Sequence, residues 1–275
     1  MEEVTSETAY TLGHAATELA RLAVQGAALR PITTRLLYNA GLTPGMRVLD
    51  VGCGAGDVSL LLAELVGRDG SVVAIDHSPA ALATARARIE RAGARNVTFY
   101  HSRARDFSGR AGFDFAIGRY VLVHQLDPAQ FLADVAGLLR PGGIVAFHEI
   151  DEFSTGSSVP LVPLWDRITD IVMKVMRRIV AAPDAAQRLA ESFEEAGLGV
   201  PSLVCERVVG TRQSRPMIAW MASTFREVLP RAREFGLVAD DEIDVEGLET
   251  RMLASVAALR AQIVGPEQYC AWSRV

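Results

Sequence analysis

The stretch VLDVGCGAGDVSLLLAEL, residues 48–65, holds three kinds of local structure in one short run. Val48 to Val51 is apolar except for one acid, Asp50, and reads as a strand. Gly52-Cys53-Gly54-Ala55-Gly56 is a loop. From Asp57 the apolar residues Val58, Leu61, Leu62 and Leu65 fall at i, i+3, i+4 and i+7, the repeat of a helix with one buried face. Strand, glycine turn and helix form the opening unit of an open α/β sheet, whose ligands sit outside the carboxyl ends of the strands. Glycine suits the turn because it is tight and a ligand must approach the backbone closely.

Outward from this unit the alternation continues. SVVAID (71–76) is a continuous apolar run, as expected for a parallel strand covered on both faces. Pro79 opens a helix in which Leu82, Ala85 and Ile89 face inward and Arg86, Arg88 and Arg91 face water, and Gly93 stops it. NVTFYH (96–101) and FDFAIG (113–118) are the next strands. Asp127-Pro128 caps a helix carrying Phe131, Leu132, Val135, Leu138 and Leu139, which Pro141-Gly142-Gly143 ends; IVAFHEI (144–150) is a fifth strand. Strands alternating with helices over 47–150 predict a parallel sheet with right-handed crossovers.

The flanks are more helical. Residues 12–29 read as one helix and Pro31 opens a second, ended by Gly41-Leu42-Thr43-Pro44-Gly45. Beyond 150, helices near 161–181 and 184–196 precede a strand at 203–210. Helical stretches at 216–235 and 244–264 lead to a last strand, QYCAWSRV. With no internal repeat or low-complexity linker, 1–275 reads as one domain. It comprises an N-terminal helical segment (1–44), a ligand-binding core (45–150), and a remainder (151–275) that completes the core and caps the sheet's carboxyl edge with helices.

Composition narrows the function. The chain is 49% hydrophobic and 22% charged, with a formal net charge of -5, which offers no basic face to nucleic acid. Lys174 is the only lysine among the 28 basic residues. No apolar run approaches the ~18–20 residues of a membrane span. The acidic start, Met-Glu-Glu-Val, lacks the charged and apolar regions of a signal peptide. Cys53, Cys205 and Cys270 form no CxxC pair, so neither a zinc site nor a disulfide framework is expected. The expected setting is the cytoplasm.

The loop also carries chemistry. Dinucleotide sites favour GxGxxG, with the pyrophosphate at an open helix N-terminus. Here Gly52, Gly54 and Gly56 give GxGxG, with Asp50 before the glycines and Asp57 after them. Acids in those places repel phosphate and favour a ligand with cationic groups. Asp76 ends the second strand about twenty residues beyond the glycines, where a carboxylate can accept both hydrogens of a ribose diol. A purely structural role, capping the next helix through Asp76-His77-Ser78-Pro79, is the competing reading.

VLDVGCGAG, VVAIDHSPAALATAR, FDFAIGRYVLVHQLDP and LLRPGG together resemble the successive motifs of class I S-adenosylmethionine-dependent methyltransferases, closest to the quinone-biosynthesis and small-molecule group. The resemblance covers about 45–150. It implies a Rossmann-like doubly wound α/β sheet of seven strands with the last antiparallel. It implies S-adenosylmethionine contacts from the backbone of Gly52, Cys53, Gly54 and Gly56, with Asp50 near the cationic methionine end. Asp76 would hold the ribose, His77 would stack on the adenine, and the carbonyl around Gly118-Arg119 would hold the methionine amine. Where the family has an acid followed by a small residue after the third strand, this chain has Arg103-Ala104. Ala104 can still offer its N–H to the adenine. Arg103 cannot accept a hydrogen bond, which leaves Asp106 as a substitute or Arg103 as a cation–π partner.

For catalysis, His124 follows the fourth strand, in the loop over which a methyl group would be transferred, and imidazole titrates near neutrality. For His124 the plain alternative is a histidine that hydrogen-bonds the loop backbone; His148, at the carboxyl end of the fifth strand, is the second candidate base. Tyr120 could donate a phenolic proton or pack. His148-Glu149 with Asp151-Glu152 suggests a metal cluster, but HExxH is incomplete and strand alternation sends His148 and Glu149 to opposite faces. No metal is expected. Trp165, Met173, Met176, Trp220, Met221 and Phe225 are spaced as core, with a pocket for an apolar acceptor as the functional alternative. The segment 10–22 resembles one that closes over the cofactor, which would bring Tyr10 and His14 to the ligand. The expected reaction is methyl transfer to a small, largely apolar molecule. A cyclase that keeps the cofactor, and a nicotinamide-dependent reductase, are the competing readings.

Overall fold

A computed structural model describes residues 16–239 and 242–275. Its elements in chain order are α1 (Ala16–Ala40), β1 (Arg47–Val51), α2 (Asp57–Val66), β2 (Ser71–Asp76), α3 (Pro79–Arg91), β3 (Val97–His101), β4 (Phe113–Arg119), α4 (Pro128–Ala136), β5 (Leu139–Ile150), β6 (Ser157–Val159), α5 (Pro163–Ile179), α6 (Leu189–Glu195), β7 (Ser202–Gly210), α7 (Arg215–Glu234), α8 (Leu248–Ala258) and β8 (Gln262–Arg274). Strands β1 to β5 pair in parallel in the order 3-2-1-4-5. Strand β8 runs antiparallel to β5 on one edge and to β7 on the other, and short β6 follows β5 along the first edge. The seven strands read from the sequence are present, the last antiparallel. The eighth, β6, is three residues long, too short to carry a period.

The apolar strands are covered on both faces, and β1 shows how. Val48 packs with Ile32, Leu36, Leu37, Leu61 and Leu62 of α1 and α2, whereas Leu49 packs on the opposite side, in the layer of Val135 and Phe193 from α4 and α6. Each fully buried leucine contributes roughly 1.5–3 kcal/mol. A third apolar cluster joins α5, α7 and α8 to Leu29 of α1, with Trp165 and Phe225 fully enclosed. No helix among the described residues is long and apolar enough to cross a membrane.

Several boundaries differ from the sequence reading. Pro31 does not open a second helix; it lies inside α1. Both Pro31 and Ala27, whose carbonyl loses its partner, are exposed, so water can take the place of the missing N–H. Leu138 and Leu139 leave α4, and Leu139 starts β5, with a register shift around Pro141–Gly143. The helix read at 184–196 is confined to α6, and that at 244–264 to α8, because β8 already begins at Gln262. Arg88 does not face water: its guanidinium meets Asp57 at 2.7 and 3.1 Å and the Ala55 carbonyl at 2.7 Å. Asp57 is thus neutralised, and its argument against phosphate passes to Asp50.

Candidate active site

Strand order reverses between β1 and β4, and the glycine loop lies at that switch point, where open α/β sheets bind ligands. All three loop glycines have positive φ, which disfavours any side chain. A Cβ on Gly52 would stand 2.7 Å from Cγ2 of Val121, and one on Gly56 would stand 3.0 Å from Cβ of Ala85 in α3, whereas one on Gly54 would meet nothing within 4 Å. The first and third glycines therefore permit close packing within the protein, and the second leaves space toward a ligand. The Cys53 N–H is spent on Ile75 O and its carbonyl on the Gly56 N–H, and burial pushes its thiol well above the ordinary range.

Asp76 ties this loop to β2. Its Oδ2 accepts the Gly54 N–H and its Oδ1 the Ser78 N–H, both at 2.8 Å. Ser78 itself caps α3 by accepting the Ala81 N–H. A carboxylate has about four acceptor positions, so two remain for a diol. Beneath the loop Asp50 is 1% exposed and accepts the Ser59 hydroxyl. Burial lifts its pKa to about 7, against the pull of Ser59 and Arg119.

A cavity of about 170 Å³ opens above these residues. Asp50, Gly52, Cys53, Gly54, Asp76, His77, Arg119 and His124, all expected from the sequence, line it, and Tyr120 does too. Past Gly52, His77, Val121, His124 and Gln125 it adjoins a second hollow of about 560 Å³, walled in part by Arg103 and Ala104. Gly56 stands one step behind, against α3. The opposite wall comes from the helices: Val172, Met173 and Met176 of α5, Trp220, Met221 and Thr224 of α7, and Leu22 and Gln25 of α1. Four of the six apolar cap residues singled out thus face the cavity, while Trp165 and Phe225 do not. Tyr10 and His14 lie outside the described residues.

The loop after β4 is held from below. Tyr120 takes a left-handed φ of 58°, costing roughly 1–3 kcal/mol, and turns the chain into Val121–Gln125. Glu149 of β5 compensates by accepting the N–H groups of Val121 at 3.0 Å, Leu122 at 2.9 Å and Val123 at 3.5 Å. Burial raises its pKa to about 7, opposed by those three bonds.

His148 does not line either hollow, which corrects its place as a candidate base. It is fully buried, with Nδ1 3.0 Å from Thr33 Oγ1 and Nε2 3.1 Å from Gln268 Oε1, an oxygen that also accepts from the Tyr120 hydroxyl. Gln268 Oε1 only accepts, so Nε2 carries the proton and Nδ1 accepts from Thr33. Burial and the nearby Arg119 charge push its pKa down to about 3, so the ring is held neutral.

Gln25, Glu149 and Glu152 are site residues that the sequence reading missed. Glu149 and Glu152 stood there only as parts of a failed metal motif. Among the described residues, no group of three or more His, Cys, Asp or Glu side chains is arranged to hold a metal ion.

The glycine cradle, Asp76 with two acceptor positions still free, and the buried acid Asp50 fit S-adenosylmethionine and define an α/β enzyme that takes this cofactor. A methyltransferase-domain family model matches residues 42–197. The chain belongs to that family, and it is an S-adenosylmethionine-dependent methyltransferase. It is 41% identical to the ubiquinone biosynthesis O-methyltransferase of Aromatoleum aromaticum over 169 residues, 58% of this chain and 70% of that protein. It is 31% identical to the demethylmenaquinone methyltransferase of Listeria monocytogenes over 173 residues, 56% and 70% of the two chains. The solved structure of the YcgJ protein from Bacillus subtilis shares the fold, with a TM-score of 0.57 at 15% identity over 88% of this chain and 96% of that one.

Proposed function

We propose that the methyl acceptor is a small, largely apolar molecule of quinone-like character, bound between the glycine loop and the cap. The observation that carries this is the wall of Val172, Met173, Met176, Trp220 and Met221 facing Asp50 and Gly54 across one cavity. The two relatives named for quinone biosynthesis support the same acceptor class. Three unpaired cysteines support a cytoplasmic setting.

In this reading Asp50 balances the cationic methionine end, Asp76 holds the ribose, and His77 and Ala104 flank the adenine. When bound, S-adenosylmethionine supplies an electrophilic methyl group. The protein contributes alignment and exclusion of water, and His124, on the loop fixed by Glu149, takes the proton that a hydroxyl or amine acceptor must lose.

The test is mass spectrometry of quinol and phenol acceptors incubated with the enzyme and S-adenosylmethionine. A gain of one methylene unit is expected. An isomerised product with no gain in mass would favour the cyclase reading. Enlarging the pocket with Trp220→Ala or Met173→Ala should alter acceptor affinity more than affinity for S-adenosylhomocysteine; equal losses would make these residues core only.

A further inference from the structure

Three acids follow one another at the end of β5 and just beyond it, and two are accounted for. Glu149 is taken up by three backbone N–H groups. Asp151 accepts from the Phe153 N–H at 2.9 Å and from Gln187 at 3.2 Å. Glu152 is different. It is 2% exposed, it lines the cavity beside Ile150 and the cap methionines, and its Oε2 has no hydrogen-bond partner among the described residues. An unsatisfied buried carboxyl oxygen is costly, and a cavity wall is the one place where a ligand can relieve it.

We infer that Glu152 recognises the polar end of the acceptor, accepting a hydrogen bond from an O–H or N–H group on a molecule whose remainder packs against Met173, Met176 and Trp220. This rests on the methyltransferase reading and deepens it: the acceptor carries a hydrogen-bond donor on an apolar body. Burial and the neighbouring Asp151 and Glu149 push the Glu152 pKa up to about 8. The carboxyl is therefore largely neutral at pH 7, able to meet a hydroxyl, or to ionise when an ammonium arrives. Asp50 and Asp76 are already engaged by Ser59 and by the Gly54 and Ser78 N–H groups. Asp57, the other acid lining the cavity, is paired with Arg88, so among the described residues Glu152 is the acid of this wall left without a hydrogen bond.

The experiment uses the whole protein and begins with S-adenosylhomocysteine calorimetry. Failure to bind would overturn the methyltransferase reading itself. On the saturated protein, ethylbenzene, benzyl alcohol and benzylamine are titrated by saturation-transfer NMR against wild type, Glu152→Leu and Glu152→Gln. Glu152→Leu should weaken benzyl alcohol or benzylamine about tenfold and leave ethylbenzene unchanged or tighter. Under Glu152→Gln, retained benzyl alcohol affinity marks a neutral hydroxyl as the partner, whereas a selective loss of benzylamine marks an ammonium. Without probe, both variants should melt higher than wild type, by about 2–4 °C. Equal losses for all three probes, no binding of any probe to wild type, or a lower melting temperature for both variants would overturn the inference. The last outcome would mean that the protein itself pairs Glu152.

Discussion

Oδ2 of Asp76 lies 2.8 Å from the backbone nitrogen of Gly54, so the tip of the second strand holds the middle of the glycine loop. The carboxylate inferred to bind ribose is thus also part of the loop's scaffold. Asp76→Ala should therefore lower both the affinity for S-adenosylhomocysteine and the stability. Each lost charge-assisted bond is worth roughly 1.5–3 kcal/mol. Calorimetry and urea denaturation read the two effects separately. A loss of stability with full affinity would leave Asp76 as a structural tie only.

The glycines should separate in the same assays. Gly52→Ala adds a clash with Val121 to a left-handed φ, so it should destabilise strongly and impair binding as a consequence. Gly54→Ala meets no protein atom, so only the backbone penalty of roughly 1–2 kcal/mol applies to folding. Its binding loss should exceed its stability loss. The reverse order would mean that no ligand approaches Gly54.

Replacing His124 with Gln keeps a polar group of similar reach but removes the base. Turnover should fall by about 10²–10⁴-fold, with the acid limb of the pH–rate profile abolished and cofactor affinity unchanged. A loss below about tenfold with the limb intact would remove His124 from that role.

His148→Gln should leave the pH–rate profile unchanged and reduce stability by about 1–3 kcal/mol, because the buried bonds that the ring makes to Thr33 and Gln268 are disturbed. The unfolded chain binds a proton near pH 6.5, which the folded protein refuses until about 3. The stabilisation by His148 is therefore full above pH 6.5 and declines as the pH falls toward 3. Denaturation of wild type and variant across that window should show the gap narrowing.

Glu152 has the opposite sign. Its pKa is raised from 4.5 to about 8, so the folded protein keeps a proton that the unfolded chain releases. Its contribution is intact below pH 4.5 and is lost as the pH rises through 8. The advantage of Glu152→Gln over wild type should grow across that interval, by at most about 1.4 kcal/mol per pH unit, and then level off. A constant difference from pH 5 to 9 would contradict the assigned burial.

The sheet core was legible because its signals are local. A run such as Val72–Ile75 is apolar throughout, and Gly52, Gly54 and Gly56 report their own backbone. The buried stripe of α1, through Leu29, Ile32, Leu36 and Leu37, continues across Pro31 and could have overruled the break placed there. Nothing local distinguishes Glu152 from Asp151: only the folded chain gives one of them Gln187 and leaves the other facing a cavity. His148 was misplaced for the same reason, since Thr33 and Gln268 come from elements remote in sequence.

The position of β8 has a consequence for biosynthesis. It pairs with β5, yet α5 to α8 are encoded between them. A nascent chain that has already assembled β1 to β5 exposes the free edge of β5, with Ile144, Val145 and Phe147 beside it, until the whole cap has been made. Such an edge is open to pairing with other chains. Folding intermediates of this enzyme are expected to aggregate through β5, and to be rescued by the β8 segment supplied in trans.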